Sequence, residues 1–279
     1  MVRIITDSAS DFEPYELKKL MIDCIPLSVS FGEQDYKDGI TLTKDAFFDK
    51  LKNSNLISKT SQPSLHDIIN QFKTTEQNKD GCVAIFMSSK ISGTVNTAKT
   101  ALEMIDSKNL FIIDSLTTSA GQRLLVEYAV QLRNQGKTAL EIYEKLENIK
   151  PKISMLACLD TIEYLHRGGR VTSAKALIGA VTHIKPIIKL HNGNVELIAK
   201  SFSLKRGISS LITRLEREQL NPLFAVYVMY SDDISLANDL IENLQTVMPN
   251  FQNIKAVQVG AVIGSHIGTK ACGIAFVKL

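Results

Sequence analysis

The chain has 279 residues, no tryptophan, and only 6% aromatic residues in all. Stacking platforms for single-stranded nucleic acid are built from such rings, so that class of partner is not expected. An excess of one charge is lacking too. Thirty-two Lys and Arg stand against 29 Asp and Glu, and a net +3 is no electrostatic footprint for nucleic acid. No apolar run approaches the ~20 residues of a membrane-spanning helix, and with a strand expected from Val2 no leader segment is expected. The four cysteines, Cys24, Cys82, Cys158 and Cys272, contain no metal-like pair, and three lie in apolar segments. Reduced, packed thiols in a cytoplasmic protein are the expectation. Neither G-x-G-x-x-G nor G-x-x-x-x-G-K-[ST] occurs, which removes the strongest nucleotide signatures. No His, Cys and carboxylate set has ligand spacing, so neither a metal site nor a cofactor is expected.

What is present is the composition of a globular protein, 44% hydrophobic and 22% charged, in a length that suits one large or two ordinary domains. The stretch Cys82 to Ala98 organises the first half. Val83 to Met87 is a continuous apolar run of strand length, as in a strand buried on both faces of a parallel sheet. Ser88, Ser89, Ser92, Gly93 and Thr94 then crowd hydroxyls into a turn, and Val95, Ala98, Leu102 and Ile105 have the spacing of a helix. In open α/β folds ligands bind at this carboxyl edge, so a small oxyanion, carboxylate or phosphate, is the first ligand expected. The plainer role for Ser92 is to cap the helix. Two further apolar strands, at Val2–Ile5 and Leu110–Ile113, end in Thr6-Asp7-Ser8 and Asp114-Ser115. Laid side by side, three such ends make a hydroxyl-lined crevice. Elsewhere in this half, Ser10 to Glu13 reads as a capping box opening a helix to about Met21. Cys24 to Phe31 reads as one strand, Thr43 as a helix cap, Thr60 to Ser64 as a loop, and Thr138 to Glu141 as a second capping box.

The second half has a different pattern. Strands are expected at Ser154–Leu159, Phe224–Tyr230, Ile254–Ile263 and Ile274–Val277, with a hairpin from Pro186 to Ile198 turning at Asn192-Gly193. Helices are expected at Thr161–Arg167, Ser173–Val181, Lys205–Glu218 and Ile234–Val247, and a loop at Gly264–Gly268. The fold class read from this alternation is α/β: an N-terminal, mostly parallel α/β sheet domain (1–152) followed by a C-terminal α+β domain with antiparallel strands (153–279). The boundary falls near Lys150-Pro151.

For chemistry the chain offers hydroxyls, one loop histidine, His266, and a basic set of His166, Arg167, Arg170 and Lys175. Strand-end aspartates such as Asp7 and Asp114 commonly accept from nearby backbone N–H groups. A serine hydrolase using Ser92, His266 and Asp114, or a phosphotransferase acting on a small anionic substrate, is the enzymatic alternative; no G-x-S-x-G elbow supports it.

Several strings together resemble the DegV family, whose characterised members are the fatty-acid-binding subunits of bacterial fatty acid kinase. They are Thr6-Asp7-Ser8 with Asp11, Thr60-Ser61-Gln62-Pro63-Ser64, Ser88-Ser89 with Ser92-Gly93-Thr94, Asp114-Ser115 with Ser119 and Gly121, Leu165 with Gly168-Gly169-Arg170, Lys185-Pro186, and Gly264 with His266 and Gly268. They run in family order over nearly the whole chain. The resemblance implies a non-catalytic, DegV-like carrier holding one long-chain fatty acid with its carboxyl group at the domain junction. Thr60 and Ser92 would bond that group, with Ser61, Gly93 and Thr94 beside it and His266 closing the network. Arg170, with Arg167, would meet a separate ATP-dependent kinase subunit. The acyl phosphate product would be held for phospholipid synthesis, with transient contact to a membrane surface for lipid exchange. The chain departs from the family pattern at Arg123 and at Thr269-Lys270-Ala271, positions expected to flank the head-group loops.

Overall fold

A computed structural model describes residues 1–54, 56–77, 81–171 and 184–279. The first half runs β1 (Arg3–Asp7), α1 (Pro14–Leu20), β2 (Ile22–Ile25), β3 (Ser28–Phe31), β4 (Gln34–Lys37), α2 (Lys44–Asn53), β5 (Ser58–Ser61), α3 (Leu65–Gln77), β6 (Cys82–Phe86), α4 (Thr94–Ile105), β7 (Leu110–Asp114), α5 (Ser119–Asn134) and α6 (Ala139–Ile149). The second half continues with β8 (Ile153–Leu159), α7 (Glu163–Arg167), β9 (Lys185–His191), β10 (Asn194–Ser201), α8 (Leu204–Leu215), β11 (Val226–Tyr230), α9 (Ile234–Val247), β12 (Ile254–Gln258), α10 (Ala261–Ile267) and β13 (Ala271–Val277). The helix expected at Ser173–Val181 lies outside the described residues.

Among the described residues the strands form three sheets. The first, in the order β2-β1-β6-β7, is parallel throughout. Ile4, Ile5, Val83, Ile85 and Phe86 are fully buried in it, each contributing about 1.5–3 kcal/mol relative to an exposed side chain. A six-stranded sheet, β10-β9-β8-β13-β11-β12, is antiparallel except for its β11–β12 pair. A small antiparallel sheet, β4-β3-β5, lies in the first half. A mixed α/β fold with a parallel sheet and antiparallel sheets is therefore what the alternation specified. β1, β6 and β7 do end side by side, with Thr6 opposite Ile85 and Phe86 opposite Asp114.

Caps behave as their chemistry dictates. Thr43 Oγ1 accepts from Ala46 N–H at 3.3 Å, and Thr138 and Glu141 form the reciprocal pair at 3.2 and 2.8 Å. The first helix differs from expectation. It starts at Pro14, because Ser10 Oγ is bonded to Asp7 O and a proline suits the first helical position; Glu16 instead reaches back to the Glu13 N–H at 2.9 Å. The single strand expected over Cys24–Phe31 is two strands in different sheets. Pro26 between them has no N–H to continue a ladder, so the chain leaves the parallel sheet there. Thr60 and Ser61, expected in a loop, pair with Val29 and Ser28 as part of β5. The expected Ile254–Ile263 strand stops at Gln258, and the loop placed at Gly264–Gly268 is largely α10. Ala261 to Ser265 are all buried, so no polar face marks a helical period.

The largest apolar cluster is shared by the two halves. Val29, Phe31 and Phe47 from the first meet Met155, Tyr227 and Val262 from the second.

Candidate functional site

Within that shared cluster lies a cavity of about 310 Å3. Thr60, Ser61, Gln62, Ser92, Arg170 and His266 give it a polar end, Thr118 adds one further hydroxyl, and the remaining wall is mostly apolar, with Met87, Met155, Leu165, Ile188, Leu190 and Val262 in it.

The polar end is assembled from elements distant in sequence. β5 carries Thr60, and α10 brings His266 to it, Nε2 lying 2.9 Å from Thr60 Oγ1 across 206 residues of chain. His266 Nδ1 is buried and has no partner among the described residues. Gly168 allows this approach, since a Cβ there would lie 2.2 Å from Nδ1. Burial first, and then the nearby Arg170 charge, push the imidazole down to about 4, so the ring is neutral at pH 7. With its proton on Nε2 the ring donates to Thr60 Oγ1 and leaves that hydroxyl free to donate into the cavity; with the proton on Nδ1, Nε2 accepts from Thr60 instead.

The second hydroxyl has similar support. Ser92 Oγ accepts from Thr94 N–H at 3.3 Å and lies 2.9 Å from Thr94 Oγ1. The N-cap of α4 is Gly93 and not Ser92, which stands one residue earlier, bonds the first N–H of the helix and also lines the cavity. Thr94 is fully buried behind Ser92 and outside the cavity wall. Gly93 lines it, and a Cβ there would fall 1.8 Å from Gln62 Oε1. Gln62, whose Nε2 donates to Thr97 at 2.5 Å, is a wall residue that the sequence reading left out, although it sits inside the quoted Thr60–Ser64 string.

Arg170 and Arg167 part company. Arg167 is exposed and paired with Glu163 one helical turn away. Arg170 turns inward, donating from Nε to Ile91 O at 3.2 Å and from Nη1 to Gly168 O at 2.5 Å, and closes the polar end. Arg123, expected beside the head-group loops, is instead buried away from the cavity. It pairs with Glu16 and Glu127 and lies over the rings of Phe12 and Tyr227. Its place on a buried face of α5, invisible in a local string, decides this. Thr269 and Lys270 form the short turn from α10 into β13, and Lys270 O accepts from Asp160 N–H.

The triad of Ser92, His266 and Asp114 is not assembled. Asp114 Oδ1 accepts from Ser89 and Leu116 N–H, both at 3.1 Å, and no carboxylate among the described residues reaches His266 Nδ1. The strand-end aspartates tie loops together: Asp7 accepts from the Ala9 and Met87 N–H groups. Burial raises Asp7 to about 6 and Asp11 to about 7. Among the described residues no three His, Cys, Asp or Glu side chains converge as a metal site would require, and no helix is long and apolar enough to cross a membrane. The arrangement can therefore offer two backed hydroxyl donors and a neutral imidazole at the mouth of an apolar chamber.

Comparison with known proteins bears on this geometry. The family model described as "Uncharacterised protein, DegV family" matches residues 1–279. A DegV domain-containing protein of Clostridium perfringens is 32% identical over 283 residues, covering 98% of this chain and 96% of the relative. The crystal structure of DegV from Bacillus subtilis, described as a fatty acid binding protein, superposes with a TM-score of 0.87 at 27% identity, over 100% of this chain and 99% of that one. A DegV family protein from Thermus thermophilus shares the fold with a TM-score of 0.89 at 24% identity, over 100% and 99% of the two chains. With sequence matched from end to end and the same arrangement of sheets around the same length of chain, this protein belongs to the DegV family.

Proposed function

We propose that the protein is a carrier for one long-chain fatty acid. The observation that carries this reading is the two-ended chamber, with Thr60, Ser92 and His266 at a hydroxyl-rich end and aliphatic side chains beyond. The B. subtilis relative, a fatty acid binding protein, supports it. Burying a saturated tail of about 14 methylenes supplies on the order of 11 kcal/mol of gross driving force. The tail therefore dominates affinity. Hydroxyls and a neutral imidazole offset the desolvation of the carboxyl end without gripping it as a bidentate arginine would.

In this reading residues 1–152 supply the hydroxyls and residues 153–279 most of the apolar wall, the two acting as domains that close on the ligand. The carboxyl group is presented to a separate ATP-dependent kinase, and the acyl phosphate is retained for phospholipid synthesis, with brief contact to a membrane surface for exchange. Ser61, Gly93 and Thr94 shape the head-group end. Exposed Arg167 belongs to the surface that meets the kinase, and Arg170, turned inward at the polar end, forms its inner edge.

Extraction of the purified protein into organic solvent, followed by mass spectrometry, tests the lipid. About one fatty acid per chain is expected; none, together with no uptake of added oleate or palmitate, rejects the reading. The partner is tested separately. Arg167→Ala should leave lipid content unchanged and lower turnover with the kinase several-fold, and undiminished turnover would remove Arg167 from the docking surface.

A further inference from the structure

The main cavity rests on β10, β9 and β8 through Val195, Leu190 and Met155. A second cavity of about 30 Å3 rests on β8, β13 and β11 through Ala157, Gly273 and Met229. Those strands follow one another across the six-stranded sheet. From β10 to β11 the two cavities together cross four strand spacings, about 19 Å, a span suited to an extended long acyl tail.

The two cavities share Met155, Ile188, Ile263 and Ile267, so these side chains stand between them. The smaller presents no polar surface. A water needs two to four polar partners to occupy such a space, whereas an apolar group needs none. The three isoleucines are branched at Cβ and stiff. Met155 is unbranched, with a thioether that adapts to its surroundings. Its Sδ accepts from Thr117 Oγ1 across a long 3.9 Å. Of the four walls, Met155 is the one able to turn aside.

We propose that the smaller cavity is the compartment for the methyl end of the longest acyl chains, and that Met155 is the partition that sets the greatest chain length accepted. The proposal rests on the fatty-acid reading above and adds a specificity residue to it. Met155→Ala removes three heavy atoms and merges the cavities, making room for about three more methylenes. Ala157→Val fills the smaller one from its β8 side. Met155→Leu nearly conserves volume but replaces the adaptable side chain with a branched one.

The test strips each protein of lipid, offers an equimolar series of saturated fatty acids from medium to very long chain, removes what is unbound, and quantifies what is retained by mass spectrometry. Met155→Ala should extend the longest retained chain by about two to three carbons, while Ala157→Val and Met155→Leu should each shorten it. The two shortening variants keep the proposal testable if Met155→Ala does not fold. Uptake equal to wild type with an unmoved length profile in the folded variants overturns the partition and leaves the carrier intact. Failure of the wild-type protein to retain any fatty acid sinks the carrier reading, and the partition with it.

Discussion

His266 is neutral because it is buried, and its neutrality shapes what the head-group end can do. A protonated ring would draw a carboxylate into a tight ion pair; in the carrier reading the neutral ring, bonded to Thr60, holds that hydroxyl at the carboxyl end without adding a charge. Burial acts in the other direction on acids. Asp11 is 1% exposed and its carboxyl is pushed up to about 7, desolvation outweighing Lys44, the Ser119 hydroxyl and the Gly260 N–H, while Asp38 adds repulsion. An acid whose pKa is higher folded than unfolded binds more protons in the native state. Between 3.8 and about 7 its contribution to stability therefore falls as pH rises. Asp11→Asn keeps an acceptor for Gly260 N–H and abolishes that titration. Relative to wild type, the variant should gain on the order of 2 kcal/mol between pH 5 and pH 7. Urea denaturation across this range checks the sign, and parallel profiles would contradict it. His266, with its lowered pKa, tilts wild-type stability the opposite way below its unfolded value, so the comparison between the two proteins, rather than either profile alone, isolates Asp11.

At the scale of elements, α10 does most to join the halves. Its first turn is held by carboxylates of the first half: Asp11 accepts from Gly260 N–H at 2.7 Å and Asp38 from Ala261 N–H at 3.0 Å. Gly264, in its middle, packs on α2, where a Cβ would lie 2.5 Å from Phe47 and 3.0 Å from Phe48. Its end delivers His266 to β5. Gly264→Ala should therefore cost about 1–3 kcal/mol through overpacking, read by denaturant unfolding, and should weaken fatty acid uptake by shifting His266. A variant of unchanged stability would show that the phenylalanines yield freely. This element was the one most poorly legible in sequence. Ala-Val-Ile-Gly-Ser-His-Ile has the composition of a buried strand, and a helix enclosed on all sides shows no amphipathic period. By contrast α6, with its Thr138 cap, and β6, buried along its whole length, could be read directly, because the signal for each lies within the element itself.

For the molecule as a whole, the carrier reading places the ligand inside the apolar cluster that the halves share, so ligand and folding are linked. At a hundredfold excess over Kd a bound fatty acid adds about 2.7 kcal/mol, which for a chain of this size is about 5–10 °C in Tm. Lipid-stripped protein should melt that much lower and recover on titration with fatty acid, followed by differential scanning calorimetry. An unchanged Tm would place the ligand outside the shared core.

Local signals specified the parallel sheet, the row of hydroxyl-bearing strand ends, the Thr43 and Thr138 caps and the hairpin turn, because apolar period, capping side chains and turn residues act over a few positions. Only the tertiary structure decided that Thr60 sits on a strand facing a helical His266, that Arg170 closes the chamber while Arg123 is buried elsewhere, and that Asp114 serves loops instead of a triad. A cavity is space left between elements, and residues as far apart as Thr60 and His266 acquire their relation only when the sheets pack.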